Sequence, residues 1–292
     1  MRIALPTCSN LPDWEVDDGP LHAAFADRGV DVERPVWDDA RIDWSRYRAC
    51  LIRTTWDYQE KRQAFVAWAQ RIAQMMPLFN PCTIVEWNTH KSYLRDLEQR
   101  GLPVTPTVWL NPGELVDLSR ILSERGWHRA FLKPAVGATA RETLRFEATS
   151  AGLADAERHL HRMLQTETML LQPYWSSVET GGELSAIFVD GRLTHAVRKV
   201  PVPGDYRVQD DFGASDELIT LSDDEVALAR RCMAAVEPNG HEPLLYGRVD
   251  FLCDDDGRLR LSELELVEPS LFFRHCPTAA DALAEALCRR LG

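Results

Sequence analysis

The chain has 292 residues, enough for two ordinary domains or three small ones, and its 45% hydrophobic and 27% charged residues exclude a disordered chain, a collagen-like repeat and a disulfide-stapled miniprotein. A formal net charge of −12 argues against general affinity for nucleic acid or an anionic membrane. No apolar run approaches the roughly 18 residues of a membrane span, Met1 to Pro6 is too short for a secretory signal, and seven cysteines without a C-x-x-C pair point to a reducing cytoplasm.

The first stretch alternates short apolar runs with helical patterns, as a parallel α/β unit does: residues 3–5, a helix near 21–28 closed by Gly29, then 30–36 and 50–54. A helix over 60–76 carries Phe65, Trp68, Ile72 and Met76 on one stripe. Pro77, Pro81 and Thr83 break the pattern, so an N-terminal α/β domain is expected over 1–86. Thr89 reads as the N-cap of a short helix ending at Gly101. Strand 104–110, helix 114–125, strands 129–134 and 143–146, helix 153–164 and strand 168–173 then predict a small α+β domain within 87–174.

The remainder, 175–292, opens with strands 184–189 and 192–200 joined by Asp190-Gly191, a strong hairpin signal. Ser222 and Glu225 form a capping box on a helix containing Val226, Ala229 and Met233. Strands 245–253 and 258–267 make a second hairpin, and a helix over 280–291 follows.

In that second hairpin, Leu259, Leu261, Glu263 and Glu265 share one face at period two, so an apolar face turns acidic midway. A symmetric four-residue turn places Asp250 opposite Leu261 and one diagonal step, ~7 Å, from Glu263. Converging carboxylates call for a cation, and all-oxygen ligation suits Mg²⁺ or Mn²⁺; a solvated acidic edge is the plain alternative. Lys133 lies in an apolar strand before Val136, Gly137, Ala138, Thr139 and Ala140, small residues able to bring backbone N–H groups to a phosphate. An ordinary edge lysine before a turn fits the same pattern. Arg198, Lys199 and Arg207 flank Pro201, Pro203 and Gly204, and could neutralise phosphates or form a plain charged loop.

Taken in order, residues 88–270 resemble the ATP-grasp ligases. Asn88-Thr89-His90-Lys91 resembles the family's first nucleotide lysine and Phe131-Leu132-Lys133-Pro134 the second, followed by the small-residue loop. Leu171-Gln172-Pro173-Tyr174 resembles the hinge strand that holds adenine, and Gly182-Glu183-Leu184-Ser185 the segment just after it. Arg198-Lys199 through Arg207 resembles the basic stretch near phosphates and acyl substrate, and Asp250 with Glu263 and Glu265 the metal-binding strands. Ile52-Arg53-Thr54-Thr55-Trp56-Asp57-Tyr58 and Val267-Glu268-Pro269-Ser270-Leu271-Phe272-Phe273 bring the chain nearest to the D-cycloserine synthetases, cyclo-ligases of antibiotic biosynthesis acting on O-ureido-D-serine.

The resemblance implies an ATP-grasp fold, with a Rossmann-like N-terminal substrate domain, a central lid and a C-terminal mixed-sheet domain. It implies ATP with Mg²⁺ (Mn²⁺ as a substitute), a small amino-acid-like substrate, and no nucleic-acid or membrane partner, and it leaves room for a homo-oligomer. Activity follows as carboxylate activation to an acyl phosphate, then attack by nitrogen. The loop reads Gly137-Ala138-Thr139-Ala140-Arg141-Glu142-Thr143 where many relatives have consecutive glycines, and position 265 is Glu where many have Asn. Arg53, Asp57 and Tyr58, with Asp17, Glu268 and Ser270, are the candidates for substrate recognition, Arg53 being equally readable as a structural salt-bridge residue. An intermolecular ligase of glutathione synthetase-like type, and a nucleotide-binding protein without catalysis, are the alternatives.

Overall fold

A computed structural model of the protein describes residues 1–11, 17–137, 140–202, 213–236 and 242–292. The N-terminal sheet is parallel, with β1 (Arg2–Ala4), β2 (Asp31–Glu33), β3 (Cys50–Leu51) and β4 (Leu78–Phe79) in the order β2-β1-β3-β4. Helices α1 (Gly19–Asp27) and α2 (Arg62–Met75) make crossovers. The predicted stripe of α2 is buried at Phe65, Trp68 and Ile72, where Phe65 stacks on Tyr58 and Trp68 meets Trp37 and Trp44 edge-on.

Helix α2 ends just before Pro77, as expected, but helical structure resumes after Pro81. Pro81 is the residue preceding α3 (Cys82–Asn88), a place where its missing N–H is harmless. Thr89 therefore closes α3, its hydroxyl donating to Val85 O, and does not cap the next helix, α4 (Tyr93–Gln99). The next sheet is antiparallel: β5 (Val108–Leu110), β6 (Arg129–Pro134), β7 (Leu144–Glu147) and β8 (Met169–Pro173) run β5-β8-β6-β7. Helices α5 (Leu118–Arg125) and α6 (Ser150–Met163) cover it through Leu118, Leu122, Ala156 and Leu160.

After α7 (Ser177–Gly181) the third sheet has the order β11-β10-β9-β12-β13, built from β9 (Glu183–Val189), β10 (Arg192–Val200), β11 (Ser215–Ile219), β12 (Tyr246–Cys253) and β13 (Leu259–Glu265). Its strand pairings are antiparallel, with a parallel bridge from Leu261 to Val104 at the edge. The Asp190-Gly191 turn is as predicted, both residues having positive φ (51° and 73°). The capping box opens α8 (Asp223–Ala234).

One face of this sheet is largely apolar: Leu184, Ala186, Phe188, Val249, Phe251, Leu261 and Leu264 pack on α8 and α4, with Arg198 and Glu217 on the same face at the β10–β11 end. The other is divided. Ile187, Val189, Val197 and Tyr246 join α1 and α9 (Pro277–Leu291) in a second core, and the rest of that face carries the charged side chains described below.

The expected register of β12 and β13 is corrected by a bulge. Phe251 pairs with Leu261 but Asp250 pairs with Glu263, leaving Ser262 as the extra residue. The leucines and the glutamates thus lie on opposite faces, and Asp250 is directly across from Glu263, not one diagonal step away.

Strand β13 is an edge, and its outer side is covered by polar groups from before β5. Pro103 O accepts from Leu261 N, Leu264 N donates to the Tyr93 hydroxyl, and the Asn88 amide donates to Leu264 O (2.8 Å) while accepting from Leu266 N (2.8 Å). Replacing Asn88 with Ala strands one buried acceptor and one buried donor, so Asn88→Ala should lower stability by about 2–4 kcal/mol. A thermal midpoint within one degree of the parent would show that the edge is satisfied otherwise.

Candidate active site

Gly182 begins the charged half of the third sheet. Its φ is +69° and a Cβ there would lie 2.3 Å from Lys199 O, so only glycine lets β9 start this close to β10. Glu183 then pairs with Lys199 across the strands, Nζ to Oε2 2.5 Å. Lys199 also reaches Asp250 Oδ2 at 3.3 Å. Asp250, 2% exposed, takes a two-pronged bond from Arg248 (Nε to Oδ1 and Nη2 to Oδ2, both 2.9 Å) and a third from Ser185 Oγ at 2.6 Å. Arg248 Nη2 continues to Glu265 Oε1 at 2.5 Å, and Ser262 Oγ donates to Glu183 Oε1 at 2.7 Å.

Two lysines from outside this sheet complete the charge pattern. Lys91 lies just before α4, tied by its backbone N–H to Ala135 O (2.7 Å), and Lys133 is in β6. Each ammonium is 3.0 Å from a different oxygen of Glu263. Burial works against ionisation of Glu263, but Lys133 and Lys91 outweigh it and hold the carboxyl well below the usual range. Asp250 is likewise held low by Arg248 and Lys199 despite burial. Glu265 goes the other way: burial, with the charges of Asp250 and Glu263 added, outweighs Arg248 and pushes it up to about 7.

Each carboxylate proposed for the metal thus rests on a cation of the chain, and among the described residues no three acidic, thiol or imidazole groups converge as a ligand set. The donor chemistry still suits a hard cation. Glu263 and Glu265 keep about a quarter of their side-chain surface open (24% and 29%), and the raised Glu265 marks surplus negative charge that a divalent ion would offset.

Strand alternation separates Arg198 from Lys199: Arg198 turns to the opposite face, 3.5 Å from Glu217. Arg207, Ala138 and Thr139 lie outside the described residues. Gly137 follows Pro134 closely, a Cβ there meeting Pro134 Cγ at 3.1 Å. Gln172 donates to Thr107 Oγ1 (2.8 Å), Pro173 pairs with Ala130, and the Tyr174 ring lies between Arg129 and Arg145 at 5.4 and 5.1 Å. Burial and its bond to Glu179 push the Tyr174 phenol up to about 12.

The N-terminal candidates have partners of their own. Arg53, 2% exposed, grips Asp18 (Nη2 to Oδ1 2.8 Å) and donates to Pro269 O, while its Nη1 has no hydrogen-bond partner among the described residues. Asp57 accepts from Trp37 Nε1 at 2.7 Å. Asp17 accepts from the Ser270 hydroxyl and from the Leu271 and Phe272 amides at 2.8–3.0 Å, which ties it to the loop after β13. Tyr58 donates to Glu268, and burial together with Glu265 pushes Glu268 up to about 8. Arg248 and Asp18 were not among the predicted side chains. Arg248 had a signal, being two residues before Asp250 and hence on its face; Asp18 had none, since its partner is 35 positions away.

Residues 3–80 match the family model described as D-cycloserine synthetase DcsG, N-terminal domain. Over 99% of this chain and 98% of its own length, the cycloserine biosynthesis protein DcsG of Streptomyces lavendulae is 34% identical. The crystal structure of D-cycloserine synthetase DcsG superposes with a TM-score of 0.89 at 30% identity, covering both chains completely. D-alanine–D-alanine ligase from Bacillus anthracis, solved with ATP, shares the fold at a TM-score of 0.71 and 14% identity over 100% of this chain and 97% of that one. Full-length identity, the matched N-terminal family and the common architecture agree: the chain belongs to the D-cycloserine synthetase family of ATP-grasp ligases.

Proposed function

We propose that the protein is an ATP-dependent, ADP-forming carbon–nitrogen ligase that closes O-ureido-D-serine into D-cycloserine. The observation that carries the phosphate half of this reading is the sharing of Glu263 by Lys91 and Lys133. Two buried ammonium groups from separate elements meet on one carboxylate, which stands where phosphate oxygens would. ATP would take over the lysines, and Glu263, Glu265 and Asp250 would turn to Mg²⁺. When bound, Mg²⁺ supplies charge neutralisation on the phosphates. Lys91 and Lys133 come from residues 87–174, and the carboxylates from 175–292.

The substrate carboxylate attacks the γ-phosphate to give an acyl phosphate and ADP. The ureido nitrogen bonded to oxygen then displaces phosphate, closing the ring, and hydrolysis of the carbamoyl group releases carbon dioxide and ammonia. Lys199 and Arg207 would face the charge on the transferring group. Glu268 with Tyr58, and Ser270, would meet the amino-acid end. Ring closure needs no second substrate pocket, because a correctly folded substrate carries its own nucleophile at high effective concentration.

With ATP, Mg²⁺ and each enantiomer of O-ureidoserine, ADP should appear with the D form together with cycloserine. ADP release with a pair of ordinary amino acids, and with neither enantiomer, would replace cyclisation by intermolecular ligation.

Glu263→Gln should cut kcat at least ~10²-fold and also lower the melting temperature, because it removes the counter-charge of buried Lys91 and Lys133. Asp250→Asn should lose about 3–5 kcal/mol of stability, because it strands buried Arg248. A thermal midpoint of Asp250→Asn equal to that of the parent would contradict the buried-pair assignment.

Glu268 stays protonated in the fold up to about pH 8, whereas in the unfolded chain it ionises near 4.5. The native state therefore binds the extra proton between those values, and stability falls as pH rises through that window. The melting temperature of the free protein should decline from pH 5 to 8, and Glu268→Gln should make the decline shallower, the remainder belonging to Glu265, whose carboxyl is raised to about 7. A parallel decline in the variant would assign it to other groups.

A further inference from the structure

Residues 267–272 belong to no helix or strand, yet each carbonyl from 267 to 271 is held by a side chain from another element. Tyr246 Oη donates to Val267 O (2.7 Å), Trp56 Nε1 to Glu268 O (3.1 Å), Arg53 Nη2 to Pro269 O (3.1 Å), Arg248 Nη1 to Ser270 O (2.9 Å) and His195 Nε2 to Leu271 O (3.0 Å). The amides of Leu271 and Phe272 both donate to Asp17. Irregular backbone is normally satisfied by solvent. Here Val267, Leu271 and Phe272 are 0–3% exposed, so the chain supplies the partners itself.

The donors come from two sources. Tyr246, Arg248 and His195 are on the third sheet, whereas Trp56 and Arg53 follow β3 of the N-terminal sheet and Asp17 precedes α1. Phe272 has φ +51°, uncommon for a residue with a side chain, and its ring lies under the guanidinium groups of Arg248 (5.6 Å) and Arg274 (5.0 Å). Glu268 and Ser270, alone within 267–271, keep partly open side chains. A backbone fixed this fully has lost its conformational entropy during folding, so a ligand meeting it has less ordering to do.

We infer that residues 267–271 are a preformed template for the amino-acid end of the substrate, and that Trp56 is a positioning residue that sets substrate affinity through the Glu268 carbonyl. This rests on the proposed reading that the amino-acid end lies against Glu268 and Ser270. Trp56→Phe keeps an aromatic ring and removes the N–H, so the loss of one hydrogen bond should raise KM for O-ureido-D-serine about fivefold. The KM for ATP should stay within about twofold, as expected for a residue with no part in phosphate binding.

Hydrogen exchange of the free protein tests the template without any substrate. The Leu271 and Phe272 amides should exchange at least ~10-fold more slowly than in an open chain, and faster in Trp56→Phe, with β12 amides unchanged. Open-chain exchange at these amides in the parent protein would overturn the inference. So would an unchanged substrate KM in the variant, or equal rises in both KM values. If exchange behaves as expected but the parent consumes neither enantiomer of O-ureidoserine, the template stands and the substrate reading fails.

Discussion

Repulsion among carboxylates on one half-buried sheet face is the constraint that organises this molecule. Glu183, Asp250, Glu263 and Glu265 are brought side by side by the pairing of β9, β12 and β13. Such a face is stable only if cations are interleaved with it. Lys199 and Arg248 come from the same sheet, but Lys91 and Lys133 must be delivered by the α4 region and β6. Charge balance therefore requires the antiparallel β5–β8 sheet to dock where it does. Glu265 shares Arg248 with Asp250 and so has the weakest compensation, which is why its carboxyl is pushed up to about 7 while Asp250 and Glu263 are held low.

The bulge at Ser262 makes this face possible. Without it, period two would keep Leu261, Glu263 and Glu265 on one side, and either the leucines would leave the core or the glutamates would enter it. One extra residue lets Leu261 and Leu264 both join the apolar core, and lets Glu263 and Glu265 turn to the cations. Ser262 is itself used, its hydroxyl bonding Glu183.

Much of the fold was legible in the sequence because its signals are local. Periodicity gave α2 and α6, Asp190-Gly191 gave the β9–β10 hairpin, and Ser222 with Glu225 gave the start of α8. The order of short motifs located the strands that carry Lys133, Glu183, Asp250 and Glu263. What escaped depends on partners distant in sequence. A bulge leaves no compositional mark, so the register of β12 and β13 was misread. Thr89 looks like an N-cap until Cys82–Asn88 is seen to be helical. Arg53, Asp57 and Asp17 are polar residues at plausible ligand positions, but Asp18, Trp37 and the 270–272 backbone engage them. Nothing within a few residues of each announces that.

The two sides of the proposed site are built from interactions of different kinds, and the difference suits the two steps of the proposed reaction. On the proposed phosphate side, the contacts of the free protein are ion pairs, Lys91 and Lys133 on a partly open Glu263. Such pairs exchange readily for phosphate and metal, since the incoming charges replace those displaced. On the proposed amino-acid side, the segment after β13 is fixed through its backbone by donors from both the N-terminal sheet and the third sheet. Ring closure gains most from a substrate held in one conformation, because misplacement by an ångström forfeits much of the advantage of an internal nucleophile. Phosphoryl transfer, by contrast, changes the charge distribution as ATP becomes ADP and acyl phosphate. On the proposed reading, a rigid template beside an exchangeable ionic cluster would meet both requirements.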